Sequence, residues 1–205
     1  HIVKYGVDMR PAVLPEQDRA KLQDYGNWLV SQFPEVFETL LVRDGRPCQW
    51  RRHWERLLLG CGRLGIPPPP ESLVVDEVRT ILHGTGAAVL RIQVTRGDGG
   101  RGYAPHPEPS PRRILGLYPT PVYPPEWQGG GVVVRTCRTP ASWNPALAGL
   151  KHLNRLDSVL ARAEWSDPRI AEGIMIGPRG EIVGGTMTNL FLWDGTRLLT
   201  PRLDR

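Results

Sequence analysis

Apolar and polar positions alternate over Val36-Phe37-Glu38-Thr39-Leu40-Leu41-Val42, and the run ends on Arg43-Asp44-Gly45-Arg46. A two-residue side-chain period closed by Asp-Gly predicts a strand entering a hairpin turn. The period then changes. Trp50, Trp54, Leu57, Leu58, Cys61 and Leu64 recur at three- and four-residue steps, which places them on one helix face, and Gly65 stands where that helix should end. The prolines at 67–70 break the chain. Residues 71–83 predict a second amphipathic helix, with Leu73, Val74, Val78, Ile81 and Leu82 on its apolar side and Gly84 as the stop. Ala88–Thr95 alternates cleanly and predicts a strand, which runs into a glycine-rich loop at 96–103. Another strand is expected at 114–118, whereas residues 11–36 show no clear period.

The Pro- and Gly-rich stretch 119–131 is the natural linker. It divides the chain into a first lobe at 1–118 and a second at 132–205. In the second lobe we expect a strand at 132–136 and a helix at 154–165, with Leu156, Val159, Leu160 and Ala163 on one face. Strands at 173–176, 188–193 and 197–200 close the chain. The Pro178-Arg179-Gly180-Glu181 turn separates the first two, and Asp194-Gly195 separates the last two. The expected fold class is mixed α and β (α/β or α+β) in two small lobes.

Composition narrows the function less than pattern narrows the fold. With 40% hydrophobic and 23% charged residues the chain is an ordinary globular sequence. No apolar run approaches the ~20 residues of a membrane helix, so no membrane partner is expected. HIVKYGVDMR has no apolar stretch behind its charges, so no signal peptide is expected either. The three cysteines, Cys48, Cys61 and Cys137, follow neither metal nor disulfide spacing, which suits a reducing cytoplasm. The net charge of +5 is spread over scattered arginines. That permits anionic small molecules and gives no basic stripe for nucleic acid.

Two features carry candidate chemistry. Successive glycines in Gly99-Gly100-Arg101-Gly102-Tyr103 let backbone N–H groups approach an anion, with Arg101 adding charge; a flexible surface loop has the same composition. The strand–GxxxxGK[ST]–helix order of a nucleotide P-loop is not there. Lys151 follows the apolar Ala146-Leu147-Ala148-Gly149-Leu150 and precedes a helix. Apolar surroundings disfavour its ammonium form and leave a neutral amine able to attack an aldehyde, while a solvated lysine at a helix entrance would look the same.

The order of motifs separates these alternatives. Gly149-Leu150-Lys151-His152-Leu153-Asn154-Arg155-Leu156, with Asn144-Pro145 and Leu147-Ala148 upstream, resembles the signature of aminodeoxychorismate lyases, a branch of the fold-type IV, pyridoxal-phosphate (PLP) dependent class IV aminotransferases. Arg96-Gly97-Asp98-Gly99-Gly100-Arg101-Gly102-Tyr103 is similar to that family's glycine-arginine loop. His53-Trp54-Glu55-Arg56-Leu57 resembles its HxxRL helix. Thr186-Met187-Thr188-Asn189-Leu190-Phe191 and Thr200-Pro201-Arg202-Leu203-Asp204 match two further motifs in the right order.

The resemblance implies a small α/β lobe and a larger β-barrel-like lobe, PLP as cofactor and no metal. It implies that Lys151 binds the cofactor and serves as general base, that Arg56 holds the phosphate, and that Thr188 and Asn189 line the cofactor site. Arg101 and Arg96 would meet a substrate carboxylate, where a planar guanidinium pairs bidentately. The implied reaction converts 4-amino-4-deoxychorismate to 4-aminobenzoate and pyruvate in folate biosynthesis, in a cytoplasmic homodimer. An aminotransferase acting on D-amino or branched-chain substrates and a non-catalytic relative are the alternatives.

Three departures from the family pattern stand out. The position of the family's acid, which pairs with the pyridine nitrogen, is Gly184 in Val183-Gly184-Gly185-Thr186. The sequence reaches Arg205 just after the TPRLD motif, so the expectation is a PLP-binding lobe represented by its first part. Extra residues lie between Tyr25-Gly26-Asn27-Trp28 and Phe37-Glu38-Thr39-Leu40, the two ends of the family's YGDGxFETL motif.

Overall fold

The computed structural model describes residues 34–97 and 104–202. The match to YGDG at Tyr25–Trp28 and most of the glycine-arginine loop, Arg101 included, lie outside them. The chain divides into two compact units. The first takes the N-terminal part through Pro121 and also Leu150–Leu153. The second comprises Val122–Gly149 and Asn154–Arg205.

Among the described residues, the first unit is a four-stranded antiparallel sheet carrying two helices. Its strands are β1 (Glu35–Arg43), β2 (Arg46–Pro47), β3 (Ala88–Thr95) and β4 (Arg112–Tyr118), in the order β2-β1-β3-β4. The β1–β2 hairpin turns on Asp44 and Gly45, both with positive φ (49° and 69°), the geometry that makes Asp-Gly the preferred pair for a tight hairpin. In β1 the even positions Val36, Leu40 and Val42 are buried, and β3 sets Val94, Leu90 and Ala88 directly beside them. Alternation thus gives the sheet one apolar face.

Helix α1 (Trp50–Arg63) contributes Trp54, Leu57 and Cys61 to the core, and α2 (Glu71–Leu82) contributes Val74, Val78 and Ile81. Each such side chain stabilises the unit by about 1.5–3 kcal/mol on burial. Helix α1 ends as expected at Gly65, in the left-handed region at φ 62°, with the Ile66 amide donating to the Cys61 carbonyl. That pattern satisfies carbonyls the helix leaves open. Arg113 of β4 donates to both oxygens of Glu77 on α2 (3.0 and 2.8 Å) and ties that helix to the sheet.

The second unit holds a short helix, α3 (Glu126–Gly130), within the Pro/Gly-rich stretch, then β5 (Val133–Thr136), α4 (Leu156–Arg162), β6 (Ile170–Ile176) and β7 (Ile182–Gly185). Strands β5 and β6 pair in parallel and β6 and β7 antiparallel. The hairpin of β8 (Leu192–Trp193) and β9 (Leu198–Leu199) follows. Strand β7 was not expected, because Ile182-Val183-Gly184-Gly185 is too short and too glycine-rich to show a period. The strand expected at 188–193 is confined to β8, since the backbone at Thr186 and Thr188 is held elsewhere. The helix expected at 154–165 is also shorter, and its intended core face is solvent-exposed: Leu156, Val159 and Leu160 are 71%, 60% and 62% exposed, while Ala161 is buried. The small core of this unit gathers Cys137, Ala141, Ala161, Trp165 and Met175. Gly173 is required there, because a Cβ would come within 2.7 Å of the Trp165 ring.

Candidate active site

Strand β1 is the reference line of the first unit's candidate site. The Phe37 amide donates to the Lys151 carbonyl (2.9 Å), and Val36 and His152 form an antiparallel bridge. Residues distant in sequence are thereby laid along β1. The Lys151 ammonium nitrogen sits 4.7 Å from the centroid of the Phe37 ring, and the Arg91 guanidinium carbon lies 4.6 Å from the same ring. Both are cation–π distances. A primary amine able to condense with a carbonyl therefore rests against an aromatic ring that a second cation also contacts.

The next residue of β1 faces the opposite way. Glu38 occupies the apolar side among Val36, Leu40 and Val42, with its side chain 1% exposed. Its carboxylate is fully engaged. Oε1 accepts from Arg56 Nε (2.6 Å), and Oε2 accepts from Arg56 Nη2 (2.6 Å) and meets His53 Nδ1 (2.7 Å). His53 and Arg56 are three residues apart on α1 and so share a helix face. The hydrogen bond from Glu38 raises the guanidinium's already high pKa further. Arg56 thus pairs first with a protein carboxylate, through one edge of its guanidinium. Among the described residues the Nη1 edge is left over, and the side chain is 45% exposed.

Arg96 has a different employment. Its Nη1 donates to the Gly65 carbonyl and its Nη2 to the His106 carbonyl (3.0 Å), while its own amide donates to the Pro34 carbonyl. It clamps three chain segments together, and both terminal nitrogens serve main-chain acceptors. The Arg96 expected to meet a substrate carboxylate is a loop clamp in this structure. Arg91, at the Phe37 ring, is a further cation near this strand that the sequence pattern does not single out. Its signal was an arginine inside a strand of otherwise apolar and uncharged residues.

The second unit brings Thr188 into a hub around Glu172, a buried acid on β6. Glu172 Oε1 accepts from the Gly173 amide (2.8 Å) and from the amide and hydroxyl of Thr186 (3.1 and 2.5 Å). Its Oε2 accepts from the Met187 amide (3.3 Å) and the Thr188 hydroxyl (2.8 Å). Burial pushes this carboxyl up, but hydrogen bonds from Thr186, the Gly173 amide, Thr188 and the Met187 amide outweigh it and leave the pKa below its ordinary value. Glu172 is a second residue that pattern reading passed over, although it is the lone acid in Ile170-Ala171-Glu172-Gly173-Ile174-Met175-Ile176. Asn189 follows the hub and is exposed.

Gly184, on β7, pairs with Met175. Its φ is outside the left-handed region, and a Cβ built there would meet only the Thr188 carbonyl oxygen, at 3.4 Å. The position has room for a side chain.

A helix-covered antiparallel sheet, a lysine hung from its first strand and an arginine anchored one residue along define a fold-type IV architecture. The chain belongs to the class IV amino-transferase family, whose model matches residues 35–205. Aminodeoxychorismate lyase of Vibrio harveyi is 32% identical over 167 residues, covering 82% of this chain and 62% of that protein. The crystal structure of 4-amino-4-deoxychorismate lyase from Pseudomonas aeruginosa matches with a TM-score of 0.78 at 45% identity, over 97% of this chain and 70% of that one. Branched-chain amino acid aminotransferase from Escherichia coli shares the fold, with a TM-score of 0.68 at 24% identity over 83% of this chain and 58% of that one. The chain spans 62% of the length of its Vibrio relative.

Enzymes of this family depend on pyridoxal phosphate. The donor set in the first unit fits that group: Lys151 offers a primary amine for an aldehyde, and Arg56 retains a guanidinium edge of the shape that phosphate takes. Gly184 does not supply the ring-nitrogen acid, and both oxygens of Glu172 are engaged by their own loop.

Proposed function

We propose that the protein acts as a PLP-dependent lyase that converts 4-amino-4-deoxychorismate to 4-aminobenzoate and pyruvate, a step of folate synthesis. The observation that carries this reading is the 45% identity to the Pseudomonas lyase over nearly the whole chain, with Lys151 set against Phe37. When bound, PLP supplies a ring that draws electrons from the carbon bearing the substrate nitrogen. The chain's own residues do the rest. Lys151 Nζ would hold the cofactor through its aldehyde carbon, and its amine, when free of that bond, would take the proton from the substrate carbon, serving as anchor and base in turn. Arg56 receives the phosphate on its Nη1 edge. Arg91 and Arg101 are the cations for substrate carboxylates, since a guanidinium pairs with both oxygens of one. We also assign Thr188 and Asn189, in the loop that Glu172 braces, to cofactor binding. We place the enzyme in the cytoplasm as a homodimer.

The test is product analysis. Incubated with aminodeoxychorismate and PLP, the full chain yields 4-aminobenzoate and pyruvate in equal amounts. Transfer of the amino group to a 2-oxo acid instead would assign it to the aminotransferases of the same fold. Neither product from PLP-loaded protein would make it a non-catalytic relative.

A further inference from the structure

Glu38 poses a physical question that the lyase reading leaves unanswered. An ionised carboxylate buried among Val36, Leu40 and Val42 loses several kcal/mol of hydration, and a hydrophobic residue there would often be neutral or better for stability. The sheet nevertheless holds an acid, and α1 answers with two side chains on one face, His53 and Arg56. The contact is side-on. The Nε–Nη2 edge of Arg56 lies against both carboxylate oxygens at 2.6 Å each, and His53 Nδ1 takes a second site on Oε2 at 2.7 Å.

Two parallel hydrogen bonds fix the plane of the guanidinium as well as its position, which a single contact does not do. With that edge fixed, the Nη1 edge has one direction. The anchor is itself rigid, because Glu38 sits in the middle of β1, paired with Ile92 of β3 and flanked by buried residues. The neighbouring residue, Phe37, carries the backbone contact and the ring contact to Lys151. Consecutive residues of one strand therefore locate the amine and the guanidinium.

We propose that Glu38, assisted by His53, is the positioning residue of Arg56, fixing the guanidinium through one edge so that the other is preset for the phosphate of the ligand. This rests on the reading of Arg56 as the phosphate receptor. It differs from the simpler view that Arg56 merely neutralises a buried acid, because neutralisation needs no unoccupied edge and predicts no dependence on the ligand's phosphate.

The two views separate on a pair of ligands that differ only in that group, pyridoxal phosphate and pyridoxal, measured by equilibrium dialysis on the full chain. Wild type prefers the phosphorylated ligand. Glu38→Gln weakens PLP binding about tenfold, or ~1.4 kcal/mol, and changes pyridoxal binding by less than about twofold. The glutamine keeps one acceptor but turns an N–H₂ toward a donor. Arg56→Gln gives the same loss for PLP, and Glu38→Gln adds nothing further in that background. The double variant removes both charges and strands neither, so it folds even where Glu38→Gln alone does not. Equal weakening of both ligands by Glu38→Gln, or a further tenfold loss of PLP when it is added to Arg56→Gln, would overturn the positioning role. A wild type that binds the two ligands equally would instead refute the phosphate role of Arg56, and with it the underlying reading of this site.

Discussion

Gly184 and Gly185 are adjacent on β7, yet the structure predicts opposite responses to the same substitution. A Cβ on Gly184 meets the Thr188 carbonyl oxygen at 3.4 Å, an ordinary contact. A Cβ on Gly185 falls 2.7 Å from Glu172 Oε2 and overlaps the Thr188 hydroxyl. Neither glycine has the positive φ that would penalise alanine in itself. Gly184→Ala therefore gains only the reduced freedom of the unfolded chain, ~0.4–1 kcal/mol of added stability. Gly185→Ala gains the same amount but must open the Thr188–Glu172 bond, a hydrogen bond to a charged group worth ~1.5–3 kcal/mol. The balance is a loss of about 0.5–2.6 kcal/mol, which lowers the melting temperature by roughly 2–4 °C per kcal/mol for a chain of this size. Urea unfolding measures the difference, and hydrogen exchange at the Thr186 and Met187 amides locates it. A Gly185→Ala protein as stable as wild type, with those amides still protected, would show that Glu172 does not hold the loop as described.

The same space makes Gly184 the place to restore an acid. Gly184→Glu should fold normally and, if its carboxylate reaches the ring nitrogen of bound PLP, raise 4-aminobenzoate turnover about tenfold, or ~1.4 kcal/mol of barrier. A well-folded, PLP-loaded variant with unchanged turnover would mean that another group fills that role. Hydrogen bonds from the Arg138 and Thr139 amides hold the Glu164 carboxyl at about 2, against an ordinary 4.5. A depressed value in the fold stabilises it above the ordinary pKa, so this contribution is lost as pH falls from 4.5 through about 2. Glu164→Gln should flatten the acid limb of a stability-versus-pH curve, and an unchanged limb would contradict the assignment. Burial raises the Glu35 carboxyl, so its contribution has the opposite sign, present at low pH and lost as pH rises through its raised value. In the first unit's core, Leu40→Ala should cost about 2–5 kcal/mol in chemical denaturation; a loss below about 1 kcal/mol would mean that the site is less tightly packed than Leu40's complete burial implies.

The described elements of the first unit, from β1 to β4, were largely legible in the sequence, because these strands and helices bury one face and so display a period. The Asp44-Gly45 turn, the Gly65 helix end and the alternation of Ala88–Thr95 each appear where the pattern placed them. The second unit was less legible for two physical reasons. Its hairpin strands are two to four residues long, too short to carry a period. Its helix has the expected apolar spacing on a face that stands exposed in this structure. Lys151 and Arg56 were singled out through motif resemblance. Glu38 and Glu172 were missed, since burial of a charge shows only when its donors, distant in sequence, are brought together.

On the proposed function, Lys151 is the residue that carries PLP. The chain contains three lysines, Lys4, Lys21 and Lys151, which keeps the readout simple. Treating PLP-loaded protein with borohydride and digesting it should place a pyridoxyl phosphate mass on the peptide containing Lys151, and Lys151→Ala should abolish that label together with lyase turnover. A label on Lys4 or Lys21 with Lys151 unmodified, or turnover that survives Lys151→Ala, would overturn that role of Lys151.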